Sequence, residues 1–345
     1  MKKTIFFCSL LICLLINSDA QQPTVQVLTS GQKTSLRGLS VVNDNVIWVS
    51  GSNGTVGKST NGGKNWKWYK VAGFEKTDFR DIEAFDASNA IIMGVAEPAY
   101  ILKTTDGGES WKVVYENKAK GMFLDAMEFW NEQSGIVVGD PVNGRFFITR
   151  TFDGGATWQD IPFEKRPIAD SGEACFAASG TNIRALDRDE AVFVSGGLKS
   201  SIFLRNERLP LNLMIQGKET TGANSIAVWD HRKRKGGKKM IVVGGDFNAD
   251  SSTYNNCMFT KNRGKTWQTP TVAPHGYRSC VEYLSADDLL ACGLNGIDYS
   301  SNGGKTWEWI SKEGFHVCRI AKTGTSVFLA GGNGKIGKLE WSMKK

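Results

Sequence analysis

Residues 104–111 read TTDGGESW. The same eight-residue box, Ser/Thr-x-Asp/Asn-x-Gly-x-Thr/Ser/Asn-Trp, returns at 59–66 (STNGGKNW), 151–158 (TFDGGATW), 260–267 (TKNRGKTW) and 300–307 (SSNGGKTW). The tryptophans stand 45, 47, 109 and 40 residues apart. A steady period in this range marks stacked supersecondary units, and the long interval is about two periods, so one unit has lost its box. Asn or Asp ahead of Gly favours a tight turn, because Gly supplies positive φ and the Asx side chain bonds its own backbone. The Ser/Thr hydroxyls add local bonds. The closing Trp then lies where the next strand begins and can bury its ring against a neighbouring unit. Each box therefore reads as a folding device rather than a ligand-binding turn.

Working outward, an apolar run precedes each box: 46–51 (VIWVSG), 90–95 (AIIMGV), 135–140 (GIVVGD), 240–245 (MIVVGG) and 289–294 (LLACGL). Two matching runs, 191–197 (AVFVSGG) and 326–332 (SVFLAGG), lack a box downstream. That makes seven units of three to four short strands. Asn-Gly pairs at Asn53-Gly54, Asn143-Gly144, Asn295-Gly296 and Asn333-Gly334 are strong hairpin signals. Helical periodicity is confined to the N-terminus. The expectation is an all-β fold: a seven-bladed β-propeller, whose ring protects its sheet edges. The seventh unit ends without an outer strand, and residues 24–28 (TVQVL) precede the first unit with no unit of their own. We expect the N-terminal strand to pair with the last blade and close the ring.

The boxes resemble the Asp-boxes, or BNR repeats, of sialidases and related propellers. The layout of seven such units is similar to that of photosystem II stability/assembly factor-like proteins. That resemblance covers residues 21–345 and implies an extracytoplasmic assembly or binding role. It fixes fold more than function, since one box serves enzymes and scaffolds alike.

Residues 1–20 read as a signal peptide: Lys2 and Lys3, an apolar stretch over 5–16, and a small-residue cleavage site at Ser18-Asp19-Ala20. Residues 21–345 are expected to form one propeller. The apolar stretch is short for a membrane span, and no later segment is long enough. Localisation is therefore expected to be periplasmic or secreted. Cleavage would lower the formal charge from +7 to +6. Five cysteines would remain: Cys175, Cys257, Cys280, Cys292 and Cys318. An odd count argues against a disulfide framework. We place Cys175, Cys280 and Cys318 at similar ranks in the first strands of units four, six and seven, as small buried hydrophobes. A single Cys280–Cys318 bridge is the alternative.

Several patterns imitate chemistry. Residues 332–337 match G-x-G-x-x-G, but no helix follows to receive a pyrophosphate. Residues 51–57 have the same form in unit one, which identifies both as hairpin turns. Three histidines, with neither H-E-x-x-H nor Cys-x-x-Cys, argue against a zinc or iron site. No cofactor is expected. The basic run at 231–235 is one loop without interleaved stacking groups, so a solvated turn is favoured over nucleic-acid binding.

In a propeller, loops that enter each inner strand share one face with those joining second to third strands. The entering positions are Arg37, Arg80, Asp81, Asp125, Glu173, Arg278 and His316. The second-to-third loops contribute Glu97, Asp140, Arg145, Asp246 and Tyr254, with residues 245–257 the longest of them. As a binding mouth, Arg37, Arg80 and Arg278 would grip carboxylates with two-pronged contacts. The favoured reading is a monomeric, non-catalytic scaffold for a protein or peptide partner in the cell envelope, with a glycan as the alternative ligand. The competing reading is a sialidase-like or xyloglucanase-like glycoside hydrolase. That chemistry needs two carboxylates at a set separation, or a Tyr–Glu nucleophile with three arginines. Against it, the first arginine lacks an Arg-Ile-Pro context, no Tyr–Glu pair sits at the mouth, and the loops are short.

Overall fold

Val, Ile and Ala runs bounded by Asn-Gly and Gly-Gly turns leave the chain little choice but short antiparallel strands, and these assemble into seven sheets. The computed structural model describes residues 23–187, 189–204, 207–229 and 236–341. The leader expected at 1–20 and the basic run at 231–235 lie outside these residues. Blade 1 comprises Leu36–Val41, Ile47–Gly51, Thr55–Ser59 and Lys67–Lys70. Blades 2, 3, 4 and 6 repeat this four-stranded meander from inner strands Phe79–Ala84, Leu124–Phe129, Ile183–Ala185 and Cys280–Tyr283. Blade 7 has inner strand Val317–Ile320 and takes its outer strand, Pro23–Thr29, from the start of the chain. Pro23 faces Trp341 and Val25 faces Leu339, so the ring is closed by the two ends, as expected.

Blade 5 departs from the pattern. Its sheet has five strands, ordered Glu173–Ala174, Gly196–Gly197, Thr221–Val228, Met240–Asp246 and Cys257–Thr260. This corrects the placement of Glu173 and Cys175 in the first strand of unit four. That inner strand is Ile183–Ala185, only three residues long, and Glu173–Ala174 belongs to an insertion that pairs toward blade 5.

The boxes share one hydrogen-bond scheme. The leading hydroxyl accepts from the amide four residues on, from Gly63, Gly108, Gly155, Gly264 and Gly304, at 2.9–3.1 Å. The Asx oxygen accepts from the amide four residues beyond it in all five copies, at 2.9–3.0 Å. Both central turn positions have positive φ; in four copies both are Gly, while the fourth copy puts Arg263 there at φ 63°. Each box Trp packs at the seam with the preceding blade: Trp66 between blades 7 and 1, Trp111 between 1 and 2, Trp158 between 2 and 3, Trp267 between 4 and 5, Trp307 between 5 and 6. The seam between blades 3 and 4 has no box Trp. Phe146, Phe193 and Phe203 fill it, with ring centroids 4.4–5.3 Å apart.

Inner strands are also tied across blades. The amides of Ala84, Met127 and Val281 donate to Ser40 Oγ, Asp81 Oδ2 and Ser225 Oγ of the preceding blade at 2.7–3.0 Å. These bonds satisfy inner-edge amides that would otherwise face the channel.

Candidate binding mouth of the channel

Five pairing registers slip near the top of a blade, and each slip leaves one residue unpaired. The slips fall between Leu36 and Gly38, Phe79 and Asp81, Leu124 and Ala126, Gly139 and Pro141, and Ala223 and Ser225. The extra residues are Arg37, Arg80, Asp125, Asp140 and Asn224. A β-bulge bends the strand and re-aims a side chain out of the ladder. Four of these five, Arg37, Arg80, Asp140 and Asn224, line one cavity of about 410 Å³ at the upper mouth. Its walls are aromatic: Phe123, Phe176, Phe247 and Tyr277, the latter pair meeting edge to face at 6.2 Å. The size and the mix of apolar wall with few polar groups suit a ligand pocket.

The two arginines differ. Arg80 Nε donates to Asp78 at 2.7 Å, and its guanidinium lies 5.6 Å from the Phe123 ring centre. Arg37 donates to the carbonyl of Ala178 at 3.3 Å, and among the described residues no carboxylate lies within ion-pair distance of it. Burial, then the nearby Arg80 charge, lowers the pKa of Arg37. Burial pushes the Asp140 carboxyl up to about 6, although Cys175 N donates to it at 2.8 Å. Asp125 lies behind it, fully buried, and is pushed well above the carboxylate range by burial and by the charge of Asp140. Neither of its oxygens has a well-aligned donor, though the amides of Ala177 and Asp140 face it. His316 also lines the cavity, with Nε2 3.0 Å from Ser35 Oγ. Burial and the two arginines hold its pKa down to about 3, so the ring is neutral near pH 7.

The remaining expected residues are elsewhere. Arg278 is fully buried and turned into blade 6, where it pairs with Asp298 and donates to Asn295 Oδ1 at 2.6 Å and the carbonyl of His275 at 3.0 Å. A three-arginine grip is therefore not formed. Glu173 is buried in the insertion, accepting from Arg208 at 2.9 Å, the Asp170 amide at 2.8 Å and the Ser195 hydroxyl. Asp81 sits deeper in the wall, accepting from Ile82 and Met127 amides at 2.8 and 2.7 Å; burial pushes it up to about 8. Glu97 is exposed and accepts from the Gly121 amide. Asp246 stands beside Phe247 with Lys218 Nζ at 3.6 Å. Arg145 is tied to the Arg166 carbonyl at 2.6 Å, and Tyr254 is 67% exposed. Sequence reasoning missed Asn224 and the aromatic wall. Asn224 Oδ1 accepts from Tyr277 OH at 2.7 Å.

The opposite mouth offers a control. Glu83, Glu128, Arg184, Glu282, Arg319 and Lys322 line a cavity of about 250 Å³ there. They satisfy one another: Arg184–Glu282 at 3.3 Å, Arg319–Glu282 at 3.5 Å, Arg184–Glu128 at 3.9 Å and Lys322–Glu83 at 2.5 Å. Among the described residues no helix is long and apolar enough to cross a membrane.

Sheets and mouth together define the chain as a seven-bladed β-propeller with a bulge-lined cavity at one end of its channel. No protein-family model matches the chain, and no curated protein matches it. Solved structures do. YCF48 bound to a D1 peptide is 17% identical with a TM-score of 0.65, over 95% of this chain and 98% of that one. YCF48 from Cyanidioschyzon merolae is 17% identical with a TM-score of 0.66, over 92% and 99%. The Pan2 WD40 domain of Neurospora crassa is 10% identical with a TM-score of 0.58, over 90% of each chain. At these identities the likeness is one of fold.

Proposed function

We propose that this chain is an exported, non-catalytic propeller that holds a segment of a protein or peptide partner in its upper mouth. The observation that carries the reading is Arg37: a half-buried guanidinium beside a second arginine, facing a cavity, with no carboxylate within ion-pair distance among the described residues. An acidic group from a partner would complete it with charge-assisted bonds. Arg80 would share that group, the aromatic wall would take an adjacent apolar side chain, and Asp140 would meet a donor. Glu97 stands exposed outside this cavity and Asp246 is buried beside Lys218. A peptide-bound structure among those of similar fold supports the same kind of use, and the Asp-box resemblance together with the leader-like residues 1–20 supports export. A photosynthetic role does not follow.

The glycoside-hydrolase reading loses ground on geometry. Its arginine triad is broken by the burial of Arg278, and of the carboxylates Glu97, Asp140 and Glu173 that could serve as its acids, Glu173 is buried in the insertion and held by Arg208. The experiment is affinity capture from an envelope extract, run beside a panel of chromogenic glycosides. We expect a partner retained by the wild type and lost by Arg37→Ala with Arg80→Ala, and no turnover of any glycoside. Turnover abolished by Asp140→Asn would replace the scaffold reading with the hydrolase.

A further inference from the structure

The ladder of blade 6 sets Cys280 directly opposite Cys292, and the next blade brings Cys318 against them from its own inner strand. All three side chains are fully buried. Their sulfur atoms lie within 4.8 Å of one another, with Cys280 and Cys318 3.7 Å apart, and all three thiols are free. The residues are 12 and 26 positions apart in sequence, so no Cys-x-x-Cys spacing announces them. We propose that this trio, at the seam of blades 6 and 7, is a binding site for a soft monovalent metal ion, copper(I), held by three sulfurs.

The spacing fits such an ion. A metal bonded to three sulfurs at about 2.3 Å each holds them about 4 Å apart in a trigonal arrangement. Thiolates alone select soft ions, copper(I) and zinc foremost. A structural zinc site takes four ligands. Among the described residues no His, Asp or Glu joins the trio, and its full burial leaves no opening for a water to serve as the fourth. Three-coordinate copper(I) needs neither.

Buried thiolates require compensation. The amide of Cys318 faces Cys280 Sγ at 3.4 Å. Arg319, half-buried and next to Cys318 in the chain, would offset part of the negative charge of the loaded site. Binding makes up to three Cu–S bonds and breaks as many S–H bonds. The protons leave to solvent and no electron moves, since copper enters as the monovalent ion. Because the trio is closed, loading accompanies folding, and the ion would stitch blade 7 to blade 6.

The test uses the full chain, unfolded and refolded under reductant with one equivalent of copper(I), then passed over a copper(I) chelator. We expect one copper per chain to survive, with three sulfur neighbours by X-ray absorption. A Cys175→Ser, Cys257→Ser variant should keep it, since both thiols lie outside the trio. Cys292→Ser with Cys318→Ser should lose it; should that variant not refold, copper content and coordination in the wild type decide alone. Copper stripped from the wild type, fewer than three sulfurs, or equal retention by the refolded trio variant would overturn the proposal. So would an intact mass two hydrogens light with Cys280 joined to Cys318.

Discussion

At the residue scale, the box shows how a few polar atoms set a fold. Thr151 Oγ1 accepts from the buried amide of Gly155 at 2.9 Å. Thr151→Val keeps the volume but orphans that amide, which should cost about 1–3 kcal/mol in denaturant unfolding. Arg263 tests the same turn from the other side, because it alone holds a non-glycine side chain at a positive-φ position of a box. Left-handed backbone costs an L-residue about 1–2 kcal/mol, part of which glycine returns as unfolded-chain entropy. Arg263→Gly should therefore stabilise by about 0.5–1 kcal/mol, and a loss of stability would show that the Arg263 side chain matters more than its backbone.

Asp140 carries the pH dependence of the mouth. Its pKa is raised in the folded state to about 6, from an ordinary value of 3.8. Stability from the neutral carboxyl is fully present below pH 4 and is lost as pH rises through 6. Asp140→Asn should gain stability relative to wild type as pH goes from 4 to 7 and level off above. Affinity for an anionic partner should rise between pH 7 and 5 in the wild type and stay flat in Asp140→Asn. Chemical denaturation and a binding titration at pH 5 and 7.5 read both.

At the element scale, the seams between blades carry the core. Trp307 is 3% exposed in the seam of blades 5 and 6, so Trp307→Ala should cost about 3–5 kcal/mol. Most of this architecture was legible. The period gave the number of blades, Asn-Gly and Gly-Gly gave their turns, and a stray apolar segment gave the closing strand. Blade 4 was misread for a physical reason: its inner strand is three residues long, while the insertion ahead of it, with Glu173 before an apolar pair, imitates an inner-strand start. The site was legible where a charged residue interrupts an apolar strand, as Arg37, Arg80 and Asp125 do at their bulges. Asn224 makes the same bulge without a charge and went unnoticed. Arg278 has the same sequence signature but no bulge, and its side chain finds Asp298 within the blade instead. A spacing pattern shows where a side chain starts; which partner claims it depends on tertiary packing.

At the scale of the whole molecule, closure and function meet. The ring is shut by one antiparallel pair between strands at opposite ends of the chain, Pro23–Thr29 and Ile336–Trp341. A chain beginning at residue 30 should expose the second of these as a long edge and self-associate. Size-exclusion chromatography that found it monomeric with an unchanged melting temperature would argue that closure is dispensable. The two mouths of the resulting channel are chemically unlike. One is a network of mutually satisfied ion pairs; the other leaves a half-buried arginine waiting beside an aromatic wall.

The most direct measurement is a fluorescence-anisotropy titration of acidic peptides, each paired with its Asn/Gln counterpart, against wild type, Arg37→Ala and Arg80→Ala. Saturable binding of an acidic peptide, weakened at least about tenfold by loss of its carboxylate or of Arg37, is the predicted result. Equal affinity for the neutral counterpart, or full binding by Arg37→Ala, would contradict it.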